Sequence, residues 1–182
     1  MKSGIPMREH TTLLVVDVQD RLMPVIHEHE RILTNVNKLL RAAEILGVKT
    51  IVTEQYPQGL GNTCEEIILA ETTTIIEKIS FSCMLSEAVD EQLKLSNTKS
   101  LIICGVEAHV CVLKTALEAI EQGYEVHVVA DAVSSRTSEN KQLALERMRQ
   151  SGIYITSVEM MLFMLMNEAG TDEFKAISKL IK

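Results

Sequence analysis

The sequence of 182 residues contains few aromatic side chains: three Phe, three Tyr and no Trp, which is 3% of the chain. Proteins that bind single-stranded nucleic acid stack the bases on aromatic side chains inside a positively charged groove. Positive charge is also scarce, because 18 Lys and Arg stand against 25 Asp and Glu and give a net charge of −7. Phosphate backbones are held by clustered Lys and Arg. We therefore expect no nucleic-acid partner.

Long apolar runs are missing as well. The longest, Met160–Met166, has seven residues, whereas a membrane-spanning helix needs about 20. The first residues, MKSGIPMREHTT, contain neither the apolar core nor the small-residue cleavage pattern of a signal peptide. We expect no membrane partner and a cytoplasmic location.

Cysteine is scarce too, and its spacing is uninformative for metal binding. No CxxC pair occurs, and no histidine stands at zinc-ligand spacing beside a cysteine. The cysteines are too few for a disulfide framework in a chain of this length. We expect reduced thiols, one of which can be reactive, and no metal or other cofactor. The four cysteines are Cys64, Cys83, Cys104 and Cys111.

The sequence does contain a regular alternation of short β-branched runs and segments of helical period. Strands are predicted over residues 12–18, 49–53, 73–78, 100–104, 125–130 and 152–156. Helices are predicted over about 28–46, 86–95, 109–122 and 138–150, with a loop and then a short helix in 54–71 and a terminal helix capped by Thr171. This alternation predicts one α/β domain over residues 1–182, with a mostly parallel, Rossmann-type sheet of six strands.

Three reactive side chains fall at the carboxyl ends of the predicted strands, where parallel sheets bind ligands. Asp17 interrupts the apolar run VVDVQD, Lys78 ends the third strand, and Cys111 follows the fourth in the first turn of a helix. A helix N-terminus and a nearby lysine both favour a thiolate. Asp17 can then act as general base, and Lys78 can stabilise the resulting anions. The three residues predict nucleophilic chemistry at one edge of the sheet.

Each of the three residues also has a structural explanation. A lone buried cysteine is commonly an inert part of the core. Asp17 can be a turn residue and Lys78 a solvated loop cation. Only their coincidence at one edge of the sheet favours a function.

Three segments resemble the isochorismatase-like cysteine hydrolase superfamily: LLVVDVQDRL (13–22), EKISFS (77–82) and GVEAHVCVLKTALEAIEQGYEVHVVADAVSSR (105–136). They follow the order of the family over nearly the whole chain. The loop TEQYPQGLG (53–61) and the phrase GVEAHVCVLKTAL also resemble the subgroup of isochorismatase domain-containing proteins.

The resemblance implies a three-layer α/β/α sandwich and a catalytic triad of Asp17, Lys78 and Cys111. It also implies a non-proline cis peptide at Val106–Glu107 and an oxyanion hole formed by the backbone N–H groups of Glu107 and Cys111. The implied reaction is attack of the Cys111 thiolate on an amide, imide or related carbonyl carbon of a small molecule. A thioester would form and water would hydrolyse it.

Relatives in the superfamily form oligomers, so the resemblance also predicts a homo-oligomer. Apolar surfaces rich in methionine adapt readily to partners. The segment Met160–Met166 is therefore predicted to be core or subunit contact, and we expect the oligomer to use it.

Two departures from the superfamily narrow the expected chemistry. Nicotinamidases carry an Asp-x-His…His metal site and a pocket tryptophan, but residues 53–72 contain no histidine and the chain no tryptophan. A nicotinamide substrate is therefore disfavoured. True isochorismatases carry glycine at the position of Cys111, so this chain favours cysteine chemistry over vinyl-ether hydrolysis.

Six further residues are candidates for the substrate pocket, each with a plain alternative. Gln19 can hydrogen-bond a substrate or brace a loop, and Tyr56 and Phe81 can wall the pocket or pack a loop. His109 can equally be a polar residue at a helix N-terminus. Cys83 and Cys104 are predicted to be structural. The pocket candidates are Gln19, Leu22, Tyr56, Phe81, Ala108 and His109.

Two other functions remain open from the sequence. One is a non-catalytic binding or scaffolding protein, because a fold does not determine a function. The other is redox sensing by Cys111, which needs reversible oxidation and a resolving thiol. Cys104 is unsuited to that role, since it lies inside a predicted strand.

Overall fold

A computed structural model describes residues 4–182 of the protein. Six strands form a single sheet in the order β3-β2-β1-β4-β5-β6, and every neighbouring pair is parallel. The predicted α/β class with a six-stranded sheet is therefore confirmed. The strands are β1 (Thr11–Val16), β2 (Lys49–Gln55), β3 (Thr74–Lys78), β4 (Ser100–Val106), β5 (Glu125–Ser134) and β6 (Tyr154–Thr156).

Helices cover both faces of the sheet and make the three-layer sandwich. Within residues 4–182, no helix is both long and apolar enough to cross a membrane. One face is covered by α1 (His29–Leu46), α6 (Val158–Met164) and α7 (Asp172–Ile181). The other is covered by α3 (Glu87–Leu95), α4 (Leu113–Glu121) and α5 (Ser138–Gln150), while the short α2 (Pro57–Leu60) follows β2.

The central strand β1 shows why the sequence folds this way. Leu13 and Val15 pack into the core beneath α1, whereas Leu14 and Val16 pack into the core beneath α3, α4 and α5. Alternate side chains of a strand point to opposite faces, so a strand covered on both faces needs a continuous apolar run. Each such burial contributes about 1.5–3 kcal/mol.

The predicted helix ends are confirmed at two places. Gly47 ends α1 in the left-handed conformation with φ +67°, and its N–H donates to the carbonyl of Ala43. Thr171 caps α7 by accepting a hydrogen bond from the N–H of Phe174 on its hydroxyl.

The structure differs from the predicted elements at two connections. The short helix comes directly after β2, because Pro57 opens α2 and the loop follows it, so the predicted order of loop and then helix is wrong. The helix predicted to begin at His109 begins instead with a π-helical turn, Ala108–Val112. That turn carries Cys111.

The segment Met160–Met166 is partly core and partly exposed. Met161, Leu162 and Leu165 are buried against α1, and Phe163 makes an edge-to-face contact with Phe174 of α7. Met160 and Phe163 are 54% and 43% exposed, so the segment keeps apolar surface for a subunit contact, and its use by an oligomer stays a prediction.

A buried histidine lies in β5, far from the carboxyl ends of the strands. The His127 ring is fully buried, stacks on Tyr154 with 5.0 Å between ring centroids, and places Nε2 3.1 Å from Oε1 of Glu125. Among the described residues, its Nδ1 has no hydrogen-bond partner. Burial lowers the pKa of His127, and Glu125 opposes the effect only partly.

His127 should make the protein less stable in mild acid. Because its pKa is lower in the folded chain, the unfolded chain binds the additional proton as the pH falls below about 6.5. The free energy of unfolding should then drop by up to about 1.4 kcal/mol per pH unit until the folded pKa is reached. Urea unfolding at pH 7.5 and pH 5 should show a smaller acid loss in His127→Gln than in the wild type. His27→Gln, at an exposed histidine, is the control, and an acid loss in His127→Gln equal to the wild type's contradicts the prediction.

Candidate active site

The candidate site lies where the direction of strand order reverses. The chain runs from β1 outward to β3 and then returns to β4, on the other side of β1. The crevice at the carboxyl ends of such a pair is the usual ligand site of a parallel sheet. Asp17 directly follows β1, Lys78 is the last residue of β3, and Cys111 lies in the turn after β4. The structure brings these three predicted residues together.

Asp17 is completely buried and takes the left-handed conformation with φ 52°, which aspartate tolerates better than most residues. Its Oδ1 accepts the hydroxyl hydrogen of Thr53 at 2.7 Å, and its Oδ2 accepts an N–H of Lys78 at 2.8 Å. Burial raises the pKa of Asp17, while Lys78 and the hydrogen bonds from Thr53 and Cys111 oppose the rise. A raised pKa suits a carboxylate that must accept and later release a proton.

Lys78 is a buried cation and not a solvated one, since its side chain is 1% exposed. Its ammonium donates to Oδ2 of Asp17 and to Oε1 of Gln55, both at 2.8 Å, and to the carbonyl of Ser80 at 3.2 Å. The carbonyl of Phe81 lies 3.4 Å from the same nitrogen. These acceptors replace the lost hydration of the charge.

Cys111 is buried in the π-helical turn, and the charges of Asp17 and Lys78 both act on its thiol. Burial raises the pKa of this thiol, the charge of Asp17 raises it further, and Lys78 only partly offsets them. The expectation that the helix end and Lys78 favour a thiolate is therefore wrong for this structure. The physical reason is that the thiol has lost its hydration and faces a carboxylate.

The peptide bond between Val106 and Glu107 is cis, as the resemblance implies. It follows Gly105, which has φ +105° and lies directly against β1. A Cβ at Gly105 would overlap the carbonyl oxygen of Val16 and lie 2.7 Å from its nitrogen. Only glycine therefore allows this approach of β4 to β1 beside the site.

The polar residues after β4 and β5 hold one another. Oε2 of Glu107 accepts the backbone N–H of Arg136 at 3.2 Å and its Nε–H at 3.1 Å. Nδ1 of His109 lies 3.0 Å from the hydroxyl of Ser135 and 4.0 Å from Oε2 of Glu107. His109 is thus tied to its neighbours at the start of the turn, which favours the plain alternative for this residue.

Gln19 braces a loop. Its Nε2 donates to the carbonyls of Gln55 at 3.1 Å and Gly61 at 2.6 Å, and its Oε1 accepts the N–H of Gln55 at 2.8 Å. Both of its amide hydrogens are therefore used, and the side chain is fully buried. Of the two alternatives for Gln19, the structure favours bracing.

The other pocket candidates divide into exposed and buried residues. Tyr56 and Phe81 are both more than half exposed, and their backbones flank Lys78: the N–H of Tyr56 donates to the Lys78 carbonyl at 2.9 Å. Leu22 packs against the core beneath α1, and Ala108 is buried in the opposite core. Of these four candidates, Tyr56 and Phe81 are therefore the two that are mainly exposed.

Three residues at the site were missed or undervalued by sequence reasoning. Thr53 and Gln55 bind Asp17 and Lys78, and Cys83 places its sulfur 3.7 Å from Oγ1 of Thr53. The period-two alternation of β2 could have identified Thr53 and Gln55, because residues two apart share a face of a strand. The predicted strand ended at Thr53, so Gln55 was not recognised as part of it.

The end of β2 offers no free ligand for a metal ion. Oε1 of Glu54 accepts both the N–H and the hydroxyl of Thr63, at 2.6 and 2.8 Å, and the amide of Gln55 is held by Lys78 and the carbonyl of Ile79. Within the described part of the chain, no three His, Cys, Asp or Glu side chains are grouped to hold a metal. The residues present at this position therefore do not fit one.

Comparison with known sequences matches residues 11–160 to the isochorismatase domain. The secreted isochorismatase effector Isc1 of Phytophthora sojae is 45% identical over 178 residues, which cover 94% of this chain and 84% of that protein. Isochorismatase domain-containing protein 2 of Danio rerio is 41% identical over 172 residues, covering 94% of this chain and 86% of that protein.

Comparison with solved structures finds the same fold. The MAR1 ribonuclease of Caenorhabditis elegans superposes with a TM-score of 0.91 at 39% identity, covering 97% of this chain and 91% of that one. The pyrazinamidase of Pyrococcus horikoshii, solved in complex with zinc, has a TM-score of 0.74 at 26% identity, covering 81% and 99%. The YcaC product of Escherichia coli, described as an octameric hydrolase of unknown specificity, has a TM-score of 0.87 at 24% identity, covering 100% and 91%.

Proposed function

Since this chain belongs to the isochorismatase family, we propose that it is a metal-independent cysteine hydrolase of small amides, imides or related carbonyl compounds. One observation carries the proposal. The buried carboxylate of Asp17 is paired with the buried ammonium of Lys78 at 2.8 Å, and both charges act on the buried thiol of Cys111. This is a nucleophile, a base and a cation at the ligand crevice of the sheet.

The first chemical step forms a thioester. Asp17 takes the proton of the Cys111 thiol, and the sulfur attacks the carbonyl carbon of the substrate. Negative charge then develops on the carbonyl oxygen, where the backbone N–H groups of Glu107 and Cys111 would donate. Each such donor is typically worth about 3–4 kcal/mol in the transition state. Lys78 stabilises the anionic charge that moves between Asp17 and the sulfur.

The second step releases the products. Asp17, now protonated, gives its proton to the leaving nitrogen, and the C–N bond breaks to leave an acyl group on Cys111. A water molecule then gives a proton to Asp17 and attacks the thioester. The acid product leaves, and the thiol recovers its hydrogen from Asp17. The same carboxyl thus acts as base, acid and base again, which its raised pKa supports.

Two exposed aromatic side chains are candidates for contact with a small substrate. Tyr56 and Phe81 are both more than half exposed and lie on either side of Lys78 in the chain. The other pocket candidates are held by the protein itself, so a large ligand would find few free polar contacts. We propose that Tyr56 and Phe81 contact the part of the substrate that remains outside the thioester.

A panel of small amides, imides and carbamoyl compounds tests the proposal. The wild type should release ammonia or amine from at least one class, and mass spectrometry of the quenched reaction should find the acyl group on Cys111. Cys111→Ala should lose at least about 1,000-fold of the rate, the usual size of the loss for a missing nucleophile. Cys64→Ala, at a buried cysteine on the α1 side of the sheet, is the matched control and should keep its rate.

Three outcomes would contradict the proposal. Hydrolysis that survives in Cys111→Ala excludes the thioester. Equal inactivity of the wild type and Cys111→Ala on every class favours the alternative of a binding protein. The Caenorhabditis elegans relative is named a ribonuclease, so the panel also includes RNA. Cleavage of RNA by both the wild type and Cys111→Ala would contradict cysteine chemistry.

Assembly and location stay predictions. The Escherichia coli structure that shares the fold is described as octameric, which supports the expected homo-oligomer, and Met160 and Phe163 are exposed for such a contact. The four cysteines are free in the structure, which accords with a reducing compartment. The Phytophthora sojae relative is named as secreted. For this chain we propose a cytoplasmic location.

A further inference from the structure

We propose that Thr53 is a positioning residue that makes Oδ1 of Asp17 the oxygen that holds the proton taken from Cys111. Cys83 supplies the second partner that allows the Thr53 hydroxyl to reverse its direction. The inference rests on the proposed function, because the proton comes from the proposed nucleophile.

The two oxygens of Asp17 have neighbours of different kinds. Oδ2 faces the ammonium of Lys78, which can only donate. A protonated carboxyl oxygen accepts a hydrogen bond poorly, so a proton on Oδ2 would weaken the bond that neutralises a buried cation. The other acceptors around Lys78, the amide of Gln55 and the carbonyls of Ser80 and Phe81, are all neutral, so none of them replaces the charge of the carboxylate. Oδ2 should therefore stay unprotonated.

Oδ1 faces a hydroxyl, which can donate or accept. When Asp17 is ionised, Thr53 donates its only hydroxyl hydrogen to Oδ1 at 2.7 Å. When Oδ1 carries a proton, the Thr53 oxygen can accept it, provided that the Thr53 hydrogen finds another acceptor. Oδ1 is thus the oxygen whose surroundings tolerate both protonation states.

The sulfur of Cys83 is that other acceptor. It lies 3.7 Å from Oγ1 of Thr53, and both side chains are completely buried. The backbone N–H of Cys83 donates to Oγ1 of Thr115 at 2.9 Å, which fixes the position of Cys83. Burial raises the pKa of Cys83 to about 11, so its thiol is neutral at working pH and adds no charge beside Asp17.

The proton movement is balanced at each stage. The S–H bond of Cys111 breaks, an O–H bond forms at Oδ1, and the pair keeps one negative charge, now on sulfur. The Thr53 hydroxyl turns its hydrogen toward Cys83 while Oδ1 is protonated. When the proton passes to the leaving nitrogen, Thr53 turns back to the carboxylate. The titratable groups that face Asp17 throughout are Lys78, Cys83 and Cys111.

Direct titration of Asp17 tests this assignment without any substrate. In protein carrying Cys111→Ala and ¹³C-labelled aspartate, the carboxyl shift of Asp17 is followed against pH. Thr53→Val removes the donor to the carboxylate and should raise the midpoint by on the order of one pH unit. Thr53→Ser should restore the midpoint to the reference value. Cys83→Ala should lower the midpoint, because it removes the acceptor that only the protonated state uses.

Opposite shifts for Thr53→Val and Cys83→Ala are the result expected from this arrangement. An unchanged midpoint in Thr53→Val overturns the role of Thr53, and a rise or no change in Cys83→Ala overturns the role of Cys83. In protein that retains Cys111, the rate of alkylation by iodoacetamide is followed against pH. In Thr53→Val this rate should begin to rise at a higher pH than in the wild type, and its plateau at high pH should equal that of the wild type. A lowered plateau with an unchanged onset would mean that Thr53 is merely structural.

These measurements separate the two proposals. If the expected midpoint shifts appear but no compound of the panel is hydrolysed, the cysteine hydrolase proposal fails and the placement of the proton on Asp17 stands. If hydrolysis through Cys111 is found without the shifts, the role of Thr53 fails alone.

Discussion

Gly105→Ala should lower the free energy of unfolding by about 4 kcal/mol or more, which is an exceptional loss for a single methyl group. The added Cβ would overlap the backbone of Val16, which cannot move aside because it is hydrogen-bonded into the middle of the sheet. Its φ of +105° adds strain that an L-residue cannot relieve. Urea unfolding followed by circular dichroism measures the loss.

Gly123→Ala separates the two causes. Gly123 also has a positive φ, +89°, but nothing lies within 4 Å of a Cβ placed there. Its substitution should cost only the conformational strain, about 1–2 kcal/mol. Equal losses of unfolding free energy in Gly105→Ala and Gly123→Ala would show that β4 and β1 are farther apart than in the structure.

Asp17→Asn should have the second large effect, on stability and chemistry together. The side chain keeps its shape, but the ammonium of Lys78, 1% exposed, loses the charge that neutralises it. Removing one partner of a buried ion pair typically lowers the free energy of unfolding by about 3–5 kcal/mol. The thiol of Cys111 also loses the base that we propose for it, so alkylation by iodoacetamide near neutral pH should fall at least about 100-fold, the lower end of the usual contribution of a general base.

A double substitution and a surface pair provide the controls. Asp17→Asn combined with Lys78→Met should regain much of the lost stability, because no buried charge remains unpaired, yet its Cys111 should stay slow to alkylate. Asp90→Asn breaks the exposed pair with Lys94 and should cost less than about 1 kcal/mol. If the double variant is no more stable than Asp17→Asn, desolvation of Lys78 is not the cause of the loss.

The fold could be predicted from local pattern almost completely. The apolar run of β1 and the glycine at position 47 depend on burial and backbone conformation, which neighbouring residues largely determine. The same holds for the place of the site, since the ends of parallel strands meet at one edge. Asp17, Lys78 and Cys111 were therefore within reach of sequence reasoning.

The ionisation state of the site was out of reach. A helix end and a lysine near Cys111 suggested a thiolate, but the sign of the effect depends on burial and on the distance to Asp17, which no local pattern contains. The roles of Gln19 and Thr53 likewise depend on partners 36 residues away in the chain. Hydrogen-bond partners of this kind follow from strand register, which was unknown before the sheet was assembled.

The acceptors around Lys78 have a chemical consequence for the acyl group that the proposed reaction would leave on Cys111. A free amine beside a thioester would attack it and form an amide, which the enzyme could not easily reverse. In this site the nitrogen of Lys78 directs its N–H groups to Asp17, Gln55 and Ser80, and an ammonium has no lone pair with which to attack. Under the proposed mechanism, the protein would thus keep a lysine next to a reactive thioester and still leave water as the acceptor of the acyl group.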